Sequence, residues 1–350
     1  MIRIHNQFTG GNIRVLSIEG DHVYLENEQR DSLAGWFYWA FCVEGAAGRE
    51  LTFHITPNWL GYYGPAVSHD LLNWKWLGQK DGEDEFSYAF GKGEGTVYFA
   101  HHILYPESRI SDLVKKYSFI KIGTLTQGRL GSNVPLVRFG EGDKKILLTA
   151  RHHACESTGS YVLEGVLQGL AENPVSGFEV LAVPFVDYDG YLSGDQGKSR
   201  QPHDHNRDYD PALPSLYPET DAIKKLAKEV GVNYAFDFHS PYHKGEEHDL
   251  CFIVQKANVE ELRRFAAILE SQITDGAFRY QAKNDLAPGV KWNNPASHTF
   301  ANYMAKEVGA KIACTLETAY FGEPDNVASA DKYLELGRCF AAALKKYIEE

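Results

Sequence analysis

The chain has no apolar run long enough to cross a bilayer. Its most hydrophobic segments, such as residues 146–150, are strand-sized. It also has no long run of lysine or arginine. With 35 Lys and Arg against 47 Asp and Glu, the formal net charge is -12. A chain this acidic has no field to attract phosphate backbones, which argues against nucleic acid as a partner. Cysteine is scarce and scattered: Cys42, Cys155, Cys251, Cys314 and Cys339, an odd number without a CxxC pair. These read as free thiols in a reducing compartment, not as a disulfide frame or a zinc cage. The opening Met-Ile-Arg-Ile-His-Asn-Gln lacks the basic and apolar regions of a secretory signal. A cytoplasmic protein away from membranes is the expectation. There is no internal repeat and no low-complexity tract, and nothing sets an oligomeric state.

What is present is an ordinary globular composition, 43% hydrophobic and 23% charged over 350 residues. That length suits two domains. Residues 1–108 have a β texture. Strand candidates at 13–18, 22–25, 36–43, 51–55 and 96–101 are separated by turn-rich pieces at 45–48, 61–65 and 81–84. Five tryptophans fall here, of which Trp36 and Trp39 read as core. A small antiparallel β-sandwich is predicted.

From 109 to 350, strand-like runs alternate with helical patterns. Strands are predicted at 145–150, 178–186, 234–238, 250–254 and 312–316. Helices are predicted at 221–230, 259–273, 299–308 and 330–348. A further helix carries Val162, Leu163, Val166, Leu167 and Leu170 on one face and is stopped by Asn173-Pro174. This alternation implies an α/β domain with a sheet covered on both faces. Functional residues of such sheets gather at strand ends.

Three strand ends carry metal-ligand chemistry. After the strand at 145–150 come His153 and Glu156, an i, i+3 pair that one helical turn would place on one face. His152 competes with His153 but lacks that spacing. His239 ends the strand at 234–238. Two imidazoles and a carboxylate make a three-ligand zinc set with an open position for water or substrate. Glu317, at the end of the strand at 312–316, is the candidate base. Asp237 could orient a ligand imidazole or serve structure alone. His101, His102, His203, His205, His243 and His248 read as solvated loop histidines, and Cys155 as a small packing residue.

In chain order the sequence shows His153-Ala-Cys-Glu156, Pro184-Phe-Val-Asp187-Tyr-Asp189-Gly190, Arg200, Asn206-Arg207, His239 and Thr315-Leu-Glu317. This ordered set resembles the zinc carboxypeptidase family over most of the chain after about Val114. The front part resembles the extra N-terminal domain of the cytosolic carboxypeptidase subgroup, which removes C-terminal residues, often glutamates. The resemblance implies a mixed sheet flanked by helices with its site at the C-terminal edge. It implies one Zn²⁺ per chain and a peptide or protein C-terminus as substrate. Asn206 and Arg207 would bind the α-carboxylate, since a planar guanidinium pairs with both oxygens. Arg200 would polarise the scissile carbonyl.

Two departures stand out. Asp187 replaces the family's usual asparagine, and Arg200 lies closer to Arg207 than in digestive members. The tyrosine that covers substrate in many members could be Tyr242, Tyr280 or Tyr303. Lys291 reads first as a surface lysine, with attraction of an acidic side chain as the alternative. Two other functions share these features. One is an N-acyl amino acid amidohydrolase of the aspartoacylase and succinylglutamate desuccinylase kind. The other is a non-catalytic binding protein on the same fold. The front domain carries no chemistry of its own and is expected to border the active-site rim and limit which C-termini enter.

Overall fold

A computed structural model describes residues 2–33, 35–78 and 85–350. The turn-rich piece expected at 81–84 lies outside the described residues. The N-terminal strands are β1 (Arg3–His5), β2 (Arg14–Glu19), β3 (His22–Glu26), β4 (Ala40–Glu44), β5 (Glu50–Thr56), β6 (Ala66–Ser68), β7 (Trp74–Trp76), β8 (Glu85–Ala89) and β9 (Thr96–Ala100). They form a five-stranded sheet, β1-β4-β9-β6-β7, and a four-stranded sheet, β2-β3-β5-β8. Alternation drives the packing. In β5, Leu51, Phe53 and Ile55 are buried while Thr52 and His54 are more exposed. These residues meet Trp39, Phe41, Phe86 and Phe99 in one core.

The sandwich departs from the predicted antiparallel form at one pair: β3 and β5 run parallel. The chain leaves β3 to build β4 in the other sheet before returning, and such a crossover is what parallel pairing requires. The strand predicted at 36–43 is shorter than expected, with ladder pairing only over Ala40–Glu44.

The second part contains α1 (Ser108–Lys116), β10 (Lys121–Gln127), β11 (Asn133–Gly140), β12 (Lys144–Ala150), α2 (Ser157–Glu172), β13 (Phe178–Val183), α3 (Tyr188–Ser193) and α4 (Pro218–Val230). These are followed by β14 (Val232–His239), β15 (Cys251–Val254), α5 (Val259–Gln272), α6 (Phe300–Tyr303), β16 (Ile312–Thr318) and α7 (Ala330–Glu349). One mixed sheet runs β10-β11-β13-β12-β14-β16-β15. Its central strands β13, β12, β14 and β16 are parallel. The hairpin β10–β11 was not legible in the sequence. Its outer strand is largely exposed, so it carries no continuous apolar run. Helices α2, α5 and α7 pack on one face, and α4 and α6 on the other. The helix predicted at 299–308 splits into α6 and a π-helical turn, Met304–Val308.

Helix α2 is buried on nearly every side, where one apolar face was expected. The reason is α7. A Cβ added at Gly165 would lie 2.1 Å from the Leu334 carbonyl oxygen, and one at Gly337 would lie 2.2 Å from that of Val162. The two helices touch backbone to backbone. No helix among the described residues is long and apolar enough to cross a membrane.

His101 and His102, expected to be solvated, are fully buried where the two parts meet. His101 Nδ1 lies 2.8 Å from His102 Nδ1, and His102 Nε2 lies 3.0 Å from the Cys155 carbonyl oxygen. Burial holds both imidazoles below the usual histidine range, His102 at about 3. They are therefore neutral when folded and gain protons below about 6.5 when unfolded. Their contribution is complete above that value and is lost as pH falls from 6.5 toward 3. Each can cost up to about 1.4 kcal/mol per pH unit. The melting temperature should fall steeply between pH 6 and 5, and less steeply in His102→Gln protein. Thermal melts across that range test this.

Candidate metal and catalytic site

The site lies at the C-terminal ends of β12, β14 and β16. After β12, Arg151 adopts a left-handed conformation (φ 62°) and turns the chain. Its buried guanidinium donates to Ser160 Oγ at 2.8 Å and to the Ala154 carbonyl at 2.5 Å. The tight turn that follows is closed by Glu156 N–H donating to the His153 carbonyl at 3.2 Å. His153 and Glu156 therefore come together through a turn and not along a helix. Glu156 is the residue that caps α2, where the helix dipole favours a carboxylate.

On β14, His239 stands directly opposite Glu317 of the parallel strand β16. His239 Nδ1 is 2.7 Å from Glu156 Oε2, and His153 Nδ1 is 2.8 Å from Glu156 Oε1. The donor atoms of His153, Glu156 and His239 all lie within 4.8 Å of one another. Burial pushes the Glu156 carboxyl up, but Lys198, His153 and His239 outweigh it and hold it well below the usual range.

His152, Asp237 and His239 form a second convergent group, fully buried. Asp237 joins the two groups. Its Oδ2 holds His239 Nε2 at 2.7 Å, and its Oδ1 holds His152 Nδ1 at 2.8 Å. The other His152 nitrogen meets the Tyr209 hydroxyl at 2.8 Å. With both nitrogens engaged, His152 does not line the cleft, whereas His153 does. Asp237 fixes the His239 ring so that Nδ1 faces Glu156, the arrangement that orients a ligand imidazole.

His153, Glu156 and His239 line a cleft of about 410 Å³ together with Glu317, Asn206 and Arg207. Burial pushes the Glu317 carboxyl up to about 6, and its Oε2 has no hydrogen-bond partner among the described residues. Asn206 is buried. Its amide nitrogen stands 3.2 Å from His239 Nε2, and its oxygen accepts from Phe300 N–H at 3.1 Å. Arg207 is exposed at the wall.

Arg200 is not brought to the others. Its Nε pairs with Asp31 at 2.7 Å, Nη1 with Asp187 at 2.8 Å and Nη2 with Asp195 at 3.0 Å. Asp187, the departure from the family's asparagine, is one of the captors. Three carboxylates occupy the guanidinium outside the cleft, so the carbonyl-polarising role expected from the resemblance has no geometric support at this residue.

Two lysines that sequence reasoning did not single out do reach the cleft. Lys198 is buried with Nζ 2.5 Å from Glu156 Oε1. Lys256 is buried just beyond β15 and donates to Asn293 Oδ1 at 2.7 Å. Burial, helped by Arg207, lowers its ammonium to about 8. Its signal was a lysine two residues past Val254, the end of a wholly apolar strand of the same sheet. Lys291 instead pairs with Glu247 at 2.8 Å on the surface. Of the three tyrosines, Tyr242 lines the cleft, while Tyr280 and Tyr303 are core residues. Trp36, expected in the core, also lines the cleft, whereas Trp39 is buried. Among the histidines expected to be solvated, His205 is buried and stacked on Tyr217, and His243 is buried as well.

The fold is that of the metallo-carboxypeptidases. The crystal structure of a metallo-carboxypeptidase from Burkholderia cenocepacia superposes with a TM-score of 0.81, covering 100% of this chain and 99% of that one at 19% identity. Residues 4–102 match the cytosolic carboxypeptidase N-terminal domain. Cytosolic carboxypeptidase 2 of Xenopus tropicalis is 27% identical over 50% of this chain, a match spanning only 21% of that protein's length. An uncharacterized protein of Zymomonas mobilis is 24% identical over 100% of this chain and 97% of its own length. The likeness is thus one of fold over the whole chain and of sequence to the cytosolic carboxypeptidase N-terminal domain over residues 4–102.

Proposed function

We propose that this protein is a zinc-dependent metallocarboxypeptidase that removes the last residue of peptides or proteins in the cytoplasm. One observation carries the reading. The His153, Glu156 and His239 donors converge in the same cleft as an unpartnered buried carboxylate, Glu317, and the Asn206-Arg207 pair. The donors suit zinc: two imidazoles and one carboxylate, with Asp237 fixing one ring. Zinc held there would acidify a water and polarise a carbonyl oxygen.

The chain's own residues do the rest. Glu317 takes the proton from the attacking water and returns it to the leaving amine. Its buried, unpartnered oxygen is free to do so. Arg207 and Asn206 hold the free α-carboxylate through charge-assisted hydrogen bonds. Lys256, at the cleft floor, favours an acidic final side chain. Tyr242, at the wall, is the candidate to cover it. In this reading residues 109–350 carry the chemistry. Residues 1–108 border the rim through Trp36 and limit which C-termini enter.

The test is release of residues from a peptide library varied at the C-terminus, alongside metal analysis. One zinc per chain is expected, with release of acidic residues lost on chelation and restored by zinc. Adding zinc to the stripped protein should raise its melting temperature, because the ion binds only the folded state. Activity on N-acyl amino acids in place of peptides would move the reading to the amidohydrolases. Protein without zinc or turnover would move it to a binding protein.

A further inference from the structure

We infer that Lys198 is the cation that meets the oxyanion of the reacting carbonyl, an assignment that rests on the carboxypeptidase reading above. Acyl transfer needs a fixed positive group where negative charge develops. Arg200, the residue first expected there, is held away by Asp31, Asp187 and Asp195. Three basic side chains, Lys198, Arg207 and Lys256, line the cleft. Arg207 stands beside Asn206 at the wall, and Lys256 is tied to Asn293 on the floor. Only Lys198 has its ammonium against the proposed metal ligands, 2.5 Å from Glu156 Oε1.

The backbone is shaped to put it there. Gly197 has φ 76°, and a Cβ on it would lie 2.1 Å from Ala154 N. The loop thus presses on the turn that carries His153 and Glu156, and only glycine allows that approach. Asp31 of the front domain anchors the loop, accepting from Gln196 N–H at 2.9 Å and Gly197 N–H at 2.8 Å. The Lys198 ammonium lies 5.1 Å from the Trp36 ring centre and donates to the Ser240 carbonyl at 3.3 Å. This holds a compact point charge at the wall of the cleft, suited to a single oxygen rather than to a carboxylate fork.

In the step, the water oxygen bonds to the carbonyl carbon. The π pair moves to the carbonyl oxygen, and the water proton goes to Glu317. Lys198 keeps its proton and donates a hydrogen bond to the new alkoxide. When the alkoxide collapses, the C–N bond breaks, and the departing nitrogen takes its electron pair and the proton from Glu317.

The experiment compares wild-type, Lys198→Met and Lys198→Arg proteins loaded with zinc, on a peptide they cleave. The methionine variant should keep one zinc and a KM within about threefold, while kcat falls about 10²- to 10³-fold. Its affinity for a phosphinic peptide, a tetrahedral anion, should fall by a similar factor, with little change for the free product amino acid. Lys198→Arg should recover part of the loss. If the methionine variant does not fold, Lys198→Gln takes its place. A kcat within threefold of wild type overturns the assignment. So does loss of zinc in step with activity, which would make Lys198 a support for Glu156. Wild-type protein that binds zinc but cleaves no peptide overturns the carboxypeptidase reading itself, before any variant is compared.

Discussion

Glu317→Gln protein should bind zinc in full and lose turnover by about 10³- to 10⁴-fold, the upper range for a positioned base. The amide has the size of the carboxyl but cannot take a proton. Two features make the expectation sharp. Glu317 lies opposite His239 in strand register, so the substitution leaves the three proposed ligands in place. Its Oε2 has no hydrogen-bond partner among the described residues, so no bond seen in the structure is broken there. Burial should cost the neutral amide less than the carboxylate, so the variant should melt no lower than wild type. Metal analysis, a thermal melt and kcat on one preparation check all three points. In wild type, kcat/KM should decline on the acid side as Glu317 gains its proton. The free protein places that near 6, and a bound dication moves it lower. Full turnover by Glu317→Gln protein would remove Glu317 as the base.

The legible part of this molecule was the part with short-range grammar. The strands β12, β14 and β16 are largely buried on both faces, so they appear as mainly apolar runs, interrupted by residues such as Asp237 and Thr315. The functional residues follow at their ends, where an α/β sheet exposes them. That was enough to bring His153, Glu156, His239 and Glu317 to one edge. The helix assumed between His153 and Glu156 was wrong in kind and right in distance, because a tight turn also brings i and i+3 together.

What sequence could not show was long-range pairing. Arg200 is captured by Asp31, 169 positions away in the chain. No local pattern announces that contact, and the resemblance pointed the other way. The same holds for Lys198, whose place depends on Gly197 packing against Ala154. The histidines at 101 and 102 looked like loop residues because burial between two sheets leaves no periodic mark on a two-residue segment.

Lys256→Met should reverse the preference for the final residue. Lys256 ends in a buried ammonium tied to Asn293, with Arg207 nearby adding to the strain of keeping it charged. A carboxylate side chain reaching it would supply the missing opposite charge. Removing one partner of a buried, hydrogen-bonded charge pair costs about 2–5 kcal/mol. We therefore expect kcat/KM for peptides ending in glutamate to fall about 10²-fold or more. Peptides ending in leucine or methionine should be unaffected or improved, since an apolar group then lines the floor. The pH dependence has a definite sign. The ammonium is charged below about 8 and neutral above it. KM for glutamate-ended peptides should rise as pH climbs through 8, while leucine-ended peptides show no such limb. An unchanged residue profile in Lys256→Met protein would shift selection to the rim aromatics Trp36, Tyr242 and Trp292, which line the same cleft. The same profile measured with Trp292→Ala protein would then show whether the rim makes the choice.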